Sequence, residues 1–119
     1  MIKQNDIVFE FQSALQPNNE EMGEFLKIHG DAVKDISFNC EDVDSLVEKA
    51  RLGGASVVQE PITLSDEFGS VRKAVIRTYG DVCHTLLDRS NYPADRHLPN
   101  YQFAKDQKNY NPLPVASKL

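Results

Sequence analysis

The feature that most restricts the fold is the segment 42–52, DVDSLVEKARL, which has a helical period and two clear ends. Its apolar residues are spaced at i, i+3, i+4 and i+7: Val43, Leu46, Val47 and Ala50. That spacing predicts a helix with one buried face, which we expect to include Leu46. Asp42 is a suitable N-cap, and Gly53-Gly54 ends the helix. Because one such helix cannot bury its apolar face alone, we expect it to lie on a sheet.

Alternation of apolar and polar residues predicts four strands around this helix. They are residues 33–41 before it and residues 56–64, 70–79 and 82–89 after it. Asp35, Ser37 and Asn39 place a polar stripe on one face of the first strand. This stripe fits either a solvated surface or the lining of a cup. The order over residues 31–90 is therefore β–α–β–β–β, which indicates an α+β fold.

A further strand and helix are predicted in residues 1–30. Alternation within residues 6–15 predicts a strand with one buried face. Residues 19–29 predict a short helix, with Asn18 in the capping role and Gly30 at its end. We interpret this region as the last strand of a preceding module plus a connecting helix.

Residues 91–119 have a different character from the rest of the chain. Four of the six prolines fall there, at Pro93, Pro99, Pro112 and Pro114, and no apolar period is visible. This composition predicts a linker or an extended tail.

Charge and cysteine content argue against several classes of protein. The chain has 13 Lys+Arg and 18 Asp+Glu, a net charge of −5, which disfavours binding to nucleic acid or to a membrane surface. Its apolar runs are only two or three residues long, so we expect no membrane span and no secretory leader. Two cysteines cannot form a disulfide framework, and they suit a reducing, cytoplasmic location.

Three stretches carry a resemblance to a known family. They are HGDAVKDISF, FGSV and TYGDVCHTL, in that order along the chain. The β–α–β–β–β order, with Asp42-Val43-Asp44 at the helix start and a Gly80-Asp81 turn before the last strand, resembles the glyoxalase-like vicinal oxygen chelate superfamily. Within it, residues 7–101 resemble the N-terminal half of the 4-hydroxyphenylpyruvate dioxygenase family. The resemblance implies a βαβββ module at residues 31–90, with residues 91–119 leading to an absent catalytic half.

The resemblance also implies an activity and a cofactor for the intact enzyme. Members of the family are understood to convert 4-hydroxyphenylpyruvate and O2 to homogentisate and CO2. They use Fe(II) held by two histidines and one carboxylate, all in the C-terminal half. For this segment we therefore expect a structural role, with no catalytic or cofactor-binding residue. The expected partners are the C-terminal half of the same chain and a second copy in a homodimer.

Asp35 and His84 are weak candidates for a metal site in this chain. Metal-binding modules of the superfamily take ligands from their first and last strands, and the resemblance places these two residues at such positions. A third ligand would be needed, and Glu60 or Asp88 could supply it. The simpler interpretation is a polar pair without a metal. The other histidines are expected to be a helix cap or surface residue (His29) and a solvated side chain (His97).

Two other functions remain open on the sequence. A complete module at residues 31–90 could dimerise into a glyoxalase-like metalloenzyme, or it could bind a small ligand without chemistry. The final residues Ser117-Lys118-Leu119 match a peroxisomal address, although coincidence is the simpler explanation.

Overall fold

One four-stranded sheet organises the fold. A computed structural model describes residues 1–4 and 6–102, and it contains two helices and six strands in this part of the chain. In chain order they are β1 (Ile2–Gln4), β2 (Ile7–Phe9), α1 (Glu20–His29), β3 (Asp35–Asn39), α2 (Val43–Leu52), β4 (Val57–Asp66), β5 (Gly69–Arg77) and β6 (Cys83–Asp88). Neither described helix is both long enough and apolar enough to cross a bilayer.

The sheet has the strand order β3-β6-β5-β4. β3 runs parallel to β6, while β6, β5 and β4 are antiparallel neighbours. The parallel pair requires a long connection, and the chain between β3 and β6 provides it with α2 and two strands. The predicted β–α–β–β–β order and α+β class are confirmed, with strand ends that differ by one or two residues from the predicted ones.

Helix α2 supplies the main core. Asp42 adopts a left-handed backbone conformation (φ 51°), and its carboxylate accepts a hydrogen bond from the Ser45 amide at 3.0 Å. Val43 and Val47 are almost fully buried against Ala74 of β5. Leu46, by contrast, is 36% exposed, so the expectation that it lies in the core is wrong. The reason is that α2 packs over β4, β5 and β6, which leaves Leu46 at the margin of the contact.

Residues 91–102, which we call the strap, follow β6 and cover part of the opposite face. Tyr92 is buried with Val71 and Leu87, and Leu98 packs beside them. The Tyr92 hydroxyl donates to Asp66 Oδ2 at 2.8 Å, which pins the strap to the end of β4. This part of the expected linker is therefore packed on the sheet, while residues 103–119 lie outside the described part of the chain.

The first thirty residues differ most from the prediction. The strand expected over residues 6–15 is confined to β2, which pairs with β1 in a two-stranded hairpin. All six strand residues of this N-terminal hairpin are exposed, so the predicted buried face is wrong. Helix α1 has Asn19, and not Asn18, as its cap, because the Asn19 side chain accepts from the Met22 amide at 3.0 Å.

Candidate functional site

The most open part of the sheet is strand β3. It is an edge strand, and all five of its residues, Asp35–Asn39, are exposed. Helix α2 contacts the other three strands and leaves β3 bare. We call β3, together with its neighbours His84 and Thr85 on β6, the open margin. An uncovered edge strand is a surface on which another chain segment can pair or pack.

The face of the open margin on the α2 side is apolar. Phe38 is paired with Leu86, which packs against the α2 core, so Phe38 lies on the α2 side of the sheet. Ile36 and His84 are paired two residues earlier on the same strands and therefore lie on the same face. Ile36 and Phe38 are 45% and 47% exposed. The Phe38 and His84 rings meet edge to face, with centroids 5.0 Å apart. His84 Nδ1 is buried and has no hydrogen-bond partner among the described residues.

The other face of the open margin is polar. The Thr85 hydroxyl donates to Asp35 Oδ2 at 2.9 Å, and the Ser37 hydroxyl donates to Asp35 Oδ1 at 3.1 Å. Thr85 is buried although it is polar, which is possible because the Asp35 carboxylate accepts a hydrogen bond from its hydroxyl. Two residues of the polar stripe predicted on the first strand, Asp35 and Ser37, therefore belong to a small hydrogen-bonded cluster with Thr85.

Asp35 and His84 do not form a site together. Asp35 pairs with Cys83, whereas His84 pairs with Ile36, so the two candidate side chains point to opposite faces of the sheet. The proposed third ligands are also engaged elsewhere. Glu60 accepts two hydrogen bonds from Arg51 at 2.8 and 2.9 Å, and Asp88 accepts from the Ser90 amide at 2.9 Å.

The described residues contain no group of three or more His, Cys, Asp or Glu side chains that could hold a metal ion. The cysteines are likewise separated. Cys40 packs against the α2 core, where burial raises the pKa of its thiol. Cys83 lies at the start of β6 on the polar face, beside its register partner Asp35 on β3. These donor sets do not fit an iron site, so no step of iron chemistry is assigned to them.

The remaining histidines have specific partners. His29 Nε2 lies 2.9 Å from Asp81 Oδ2, which joins the end of α1 to the turn before β6. His97 was expected to be solvated, but its side chain is only 16% exposed. Its ring packs edge to face on Tyr101, and its Nε2 atom lies 3.3 Å from Glu10 Oε2. Because Glu10 and His97 are 87 residues apart, no local pattern could predict this contact.

Comparison with known proteins gives one consistent family. No family model matches the chain. A 4-hydroxyphenylpyruvate dioxygenase from Caenorhabditis briggsae is 55% identical over 101 residues, which cover 85% of this chain and 25% of that protein. The enzyme of the same name from Xenopus tropicalis is 50% identical over 85% of this chain and 26% of its own length. The one from Dictyostelium discoideum is 38% identical over 100% of this chain and 33% of its own length.

The chain thus spans about a quarter to a third of the length of these relatives. A matched stretch that covers 85% of the 119 residues includes β3, α2 and the three strands after it. The predicted resemblance is confirmed: the chain belongs to the 4-hydroxyphenylpyruvate dioxygenase family and corresponds to one segment of its members.

Proposed function

We propose that the chain is the N-terminal, structural segment of an Fe(II)-dependent 4-hydroxyphenylpyruvate dioxygenase. The intact enzyme would convert 4-hydroxyphenylpyruvate and O2 to homogentisate and CO2 in tyrosine and phenylalanine catabolism, in the cytoplasm. Iron would supply oxygen activation in the C-terminal half, and this segment would make no direct contribution to the chemistry. The observation that carries the proposal is high identity over most of this chain but over only a quarter of each relative.

Two features of the open margin favour a structural role for this segment, in which another part of the enzyme packs on it. Ile36 and Phe38 leave about half of their surface in water on an edge strand, which is costly unless another segment covers them. The unpaired His84 Nδ1 lies beside them, and an unsatisfied buried nitrogen costs roughly 1–3 kcal/mol. A covering segment that presents one hydrogen-bonding group would relieve both costs. We propose that the rest of the dioxygenase chain, including its catalytic half, packs here.

A homodimer is the second proposed interaction. The N-terminal hairpin exposes Ile2, Ile7 and Phe9, each about 60% accessible. A two-stranded hairpin is marginally stable alone, and additional strands would stabilise it. In the intact protein these strands would belong to the preceding module, and in the isolated chain we expect a second copy to take that place.

The decisive experiment is an exchange of segments. The matching 101 residues of the Caenorhabditis briggsae relative would be replaced by the aligned stretch of this chain, and oxygen consumption with 4-hydroxyphenylpyruvate would be measured. We expect the chimera to be active and the isolated chain with Fe(II) to be inactive. Turnover by the isolated chain, or a folded but inactive chimera, would overturn the proposal.

Matched variants would test where the catalytic part packs. Ile36→Asp changes the open margin, and Val58→Asp changes the opposite edge strand, β4, at a side chain of similar exposure (45% and 50%). We expect the chimera to lose at least tenfold in activity or in thermal half-life with the first change and little with the second. Urea unfolding of the isolated chain with each change would show whether the module itself is equally stable in both.

A further inference from the structure

A second cluster of polar side chains lies outside the open margin and joins the two ends of the described chain. Glu10 follows β2, and His97 and Tyr101 lie in the strap. The Tyr101 hydroxyl donates to Glu10 Oε1 at 2.6 Å, and His97 Nε2 lies 3.3 Å from Glu10 Oε2. One carboxylate therefore uses both of its oxygens to hold two residues that are 87 and 91 positions away in the sequence.

The cluster has the geometry of a fixed contact. The His97 and Tyr101 rings pack edge to face, with centroids 4.7 Å apart and an interplanar angle of 76°. The side chain of His97 is 16% exposed and that of Glu10 is 32% exposed, while Tyr101 is 45% exposed, so the contact lies at the surface and is partly shielded from water. Gln12 adds a weaker hydrogen bond to Glu10 Oε1 at 3.3 Å. The carboxylate is thus held on both oxygens, as is typical of a strong, charge-assisted contact.

The N-terminal hairpin needs such a contact. Its strands pack against no other strand or helix of the described residues, and all six of its strand residues are exposed. Apolar burial therefore contributes little to its position. We propose that Glu10, His97 and Tyr101 form an acid-released clasp, which fixes the N-terminal hairpin to the strap and so sets the relative position of the two ends of the module.

The direction of the pH dependence follows from the carboxylate. Burial by itself would raise the pKa of Glu10, but hydrogen bonds from Tyr101, Gln12 and His97 lower it overall. A carboxylate with a lowered pKa stabilises the folded contact at neutral pH, and this stabilisation is lost as the pH falls through the lowered value. The hydrogen bond to Glu10 and burial raise the pKa of Tyr101 to about 12, so the phenol remains a donor across the physiological range.

The clasp can be tested by NMR on the full 119-residue chain. The amide signals of Ile7 and Phe9 report the hairpin, the Tyr101 ring reports the strap, and the amides of Val71 and Ala74 report the sheet. We expect the hairpin and Tyr101 signals to change together in one transition below pH 4.5, at a pH where the sheet signals stay folded. In Glu10→Gln, hairpin amides should exchange with solvent at least tenfold faster than in the wild-type chain already at pH 7, and the acid transition should disappear.

Two further variants separate the clasp from a general effect of charge. Tyr101→Phe removes one donor to the carboxylate, and we expect partial release at pH 7 with the transition moved to higher pH. Glu60→Gln removes a carboxylate that pairs with Arg51, far from the hairpin in the sequence, and should leave the hairpin signals unchanged. Hairpin exchange at pH 7 that is the same in Glu10→Gln and the wild-type chain, with the sheet folded in both, would overturn the proposal. If acid unfolds the sheet before the hairpin signals change, this comparison at pH 7 still decides the question.

Discussion

Asp35 and His84 lie on adjacent parallel strands but differ by one step in register, so their side chains leave the sheet on opposite faces. Asp35 accepts hydrogen bonds from Ser37 and Thr85, while His84 packs against Phe38. Side chains alternate between the two faces along a strand, so a shift of one residue places two groups on opposite faces. From the sequence alone, the same two groups could be expected to lie side by side. In this structure the two side chains therefore do not converge on one position, and their lack of metal binding stays a prediction.

The first prediction concerns metal binding. We expect no Fe(II) binding at micromolar or tighter affinity by the 119-residue chain, because Asp35 and His84 cannot reach one ion. The measurement is an anaerobic calorimetric titration with Fe(II), and His84→Ala is the comparison. Tight binding that disappears in His84→Ala would contradict the register described above.

The second prediction concerns the face of helix α2. Val47 is 2% exposed and Leu46 is 36% exposed. Val47→Asn would place an unpaired amide in the core, and we expect it to cost roughly 3 kcal/mol or more of unfolding free energy. Leu46→Gln can turn its amide to water and should cost about 1 kcal/mol. Urea unfolding of both variants checks this, and equal midpoints would show that α2 buries a different face.

The third prediction concerns the contact between α2 and β5. Arg72 donates to both carboxylate oxygens of Asp44, at 2.8 and 2.6 Å, and these hydrogen bonds lower the pKa of Asp44. A lowered carboxylate pKa stabilises the fold above the ordinary value of 3.8, and this contribution is lost as the pH falls through the lowered value. We expect Asp44→Asn to be less stable than the wild-type chain at pH 7 and to approach it at pH 3.

The measurement for this pair is urea unfolding at several pH values. Asp31→Asn, outside the helices and strands, is the control and should leave the pH dependence of the wild-type chain in place. A stability difference between Asp44→Asn and wild type that stays constant from pH 7 to pH 3 would contradict the assignment to Arg72.

The fourth prediction compares two glycines. Gly69 has φ 148°, and a Cβ there would overlap the Asn91 carbonyl oxygen. This oxygen accepts a hydrogen bond from the Ser70 amide at 3.1 Å. We expect Gly69→Ala to cost more than about 2 kcal/mol, from backbone strain together with displacement of the strap. Gly23 lies inside α1, and a Cβ added there would meet no atom within 4 Å. Gly23→Ala should therefore stabilise the chain by about 0.5–1 kcal/mol. Thermal unfolding should show a lower midpoint for Gly69→Ala and a higher one for Gly23→Ala. An unchanged midpoint in Gly69→Ala would show that the strap is not held there.

Much of the central module was predictable because its signals are local. The period of α2, its Asp42 cap and its glycine stop lie within a dozen residues, and each is set by backbone hydrogen bonding. The three strands after it follow from alternation and turn residues. The failures lie where burial depends on distant parts of the chain. Leu46 fits the apolar stripe, yet the neighbouring strand β3 is not covered by the helix.

The N-terminal region shows the same limit more strongly. Alternation correctly indicated extended backbone near Ile7 and Phe9, but it could not say whether a partner sheet is present. Without one in the described residues, the predicted buried face is exposed. Glu10, His97 and Tyr101 carry no local signal, because each becomes informative only when the chain brings residues 10 and 101 together.

The sequence by itself determined the order of helices and strands in the central module, the cap and stop of α2, and the family to which the segment belongs, whereas strand β1 was not predicted. These depend on short-range periodicity and on the order of residue types along the chain, and both can be read directly from the sequence. Only the tertiary structure decided that Asp35 and His84 face opposite ways, that β3 is left open, and that Glu10 holds His97 and Tyr101. The physical reason is that register and long-range contacts are set by how separate segments pack, and the free energy of that packing is a property of the folded chain as a whole.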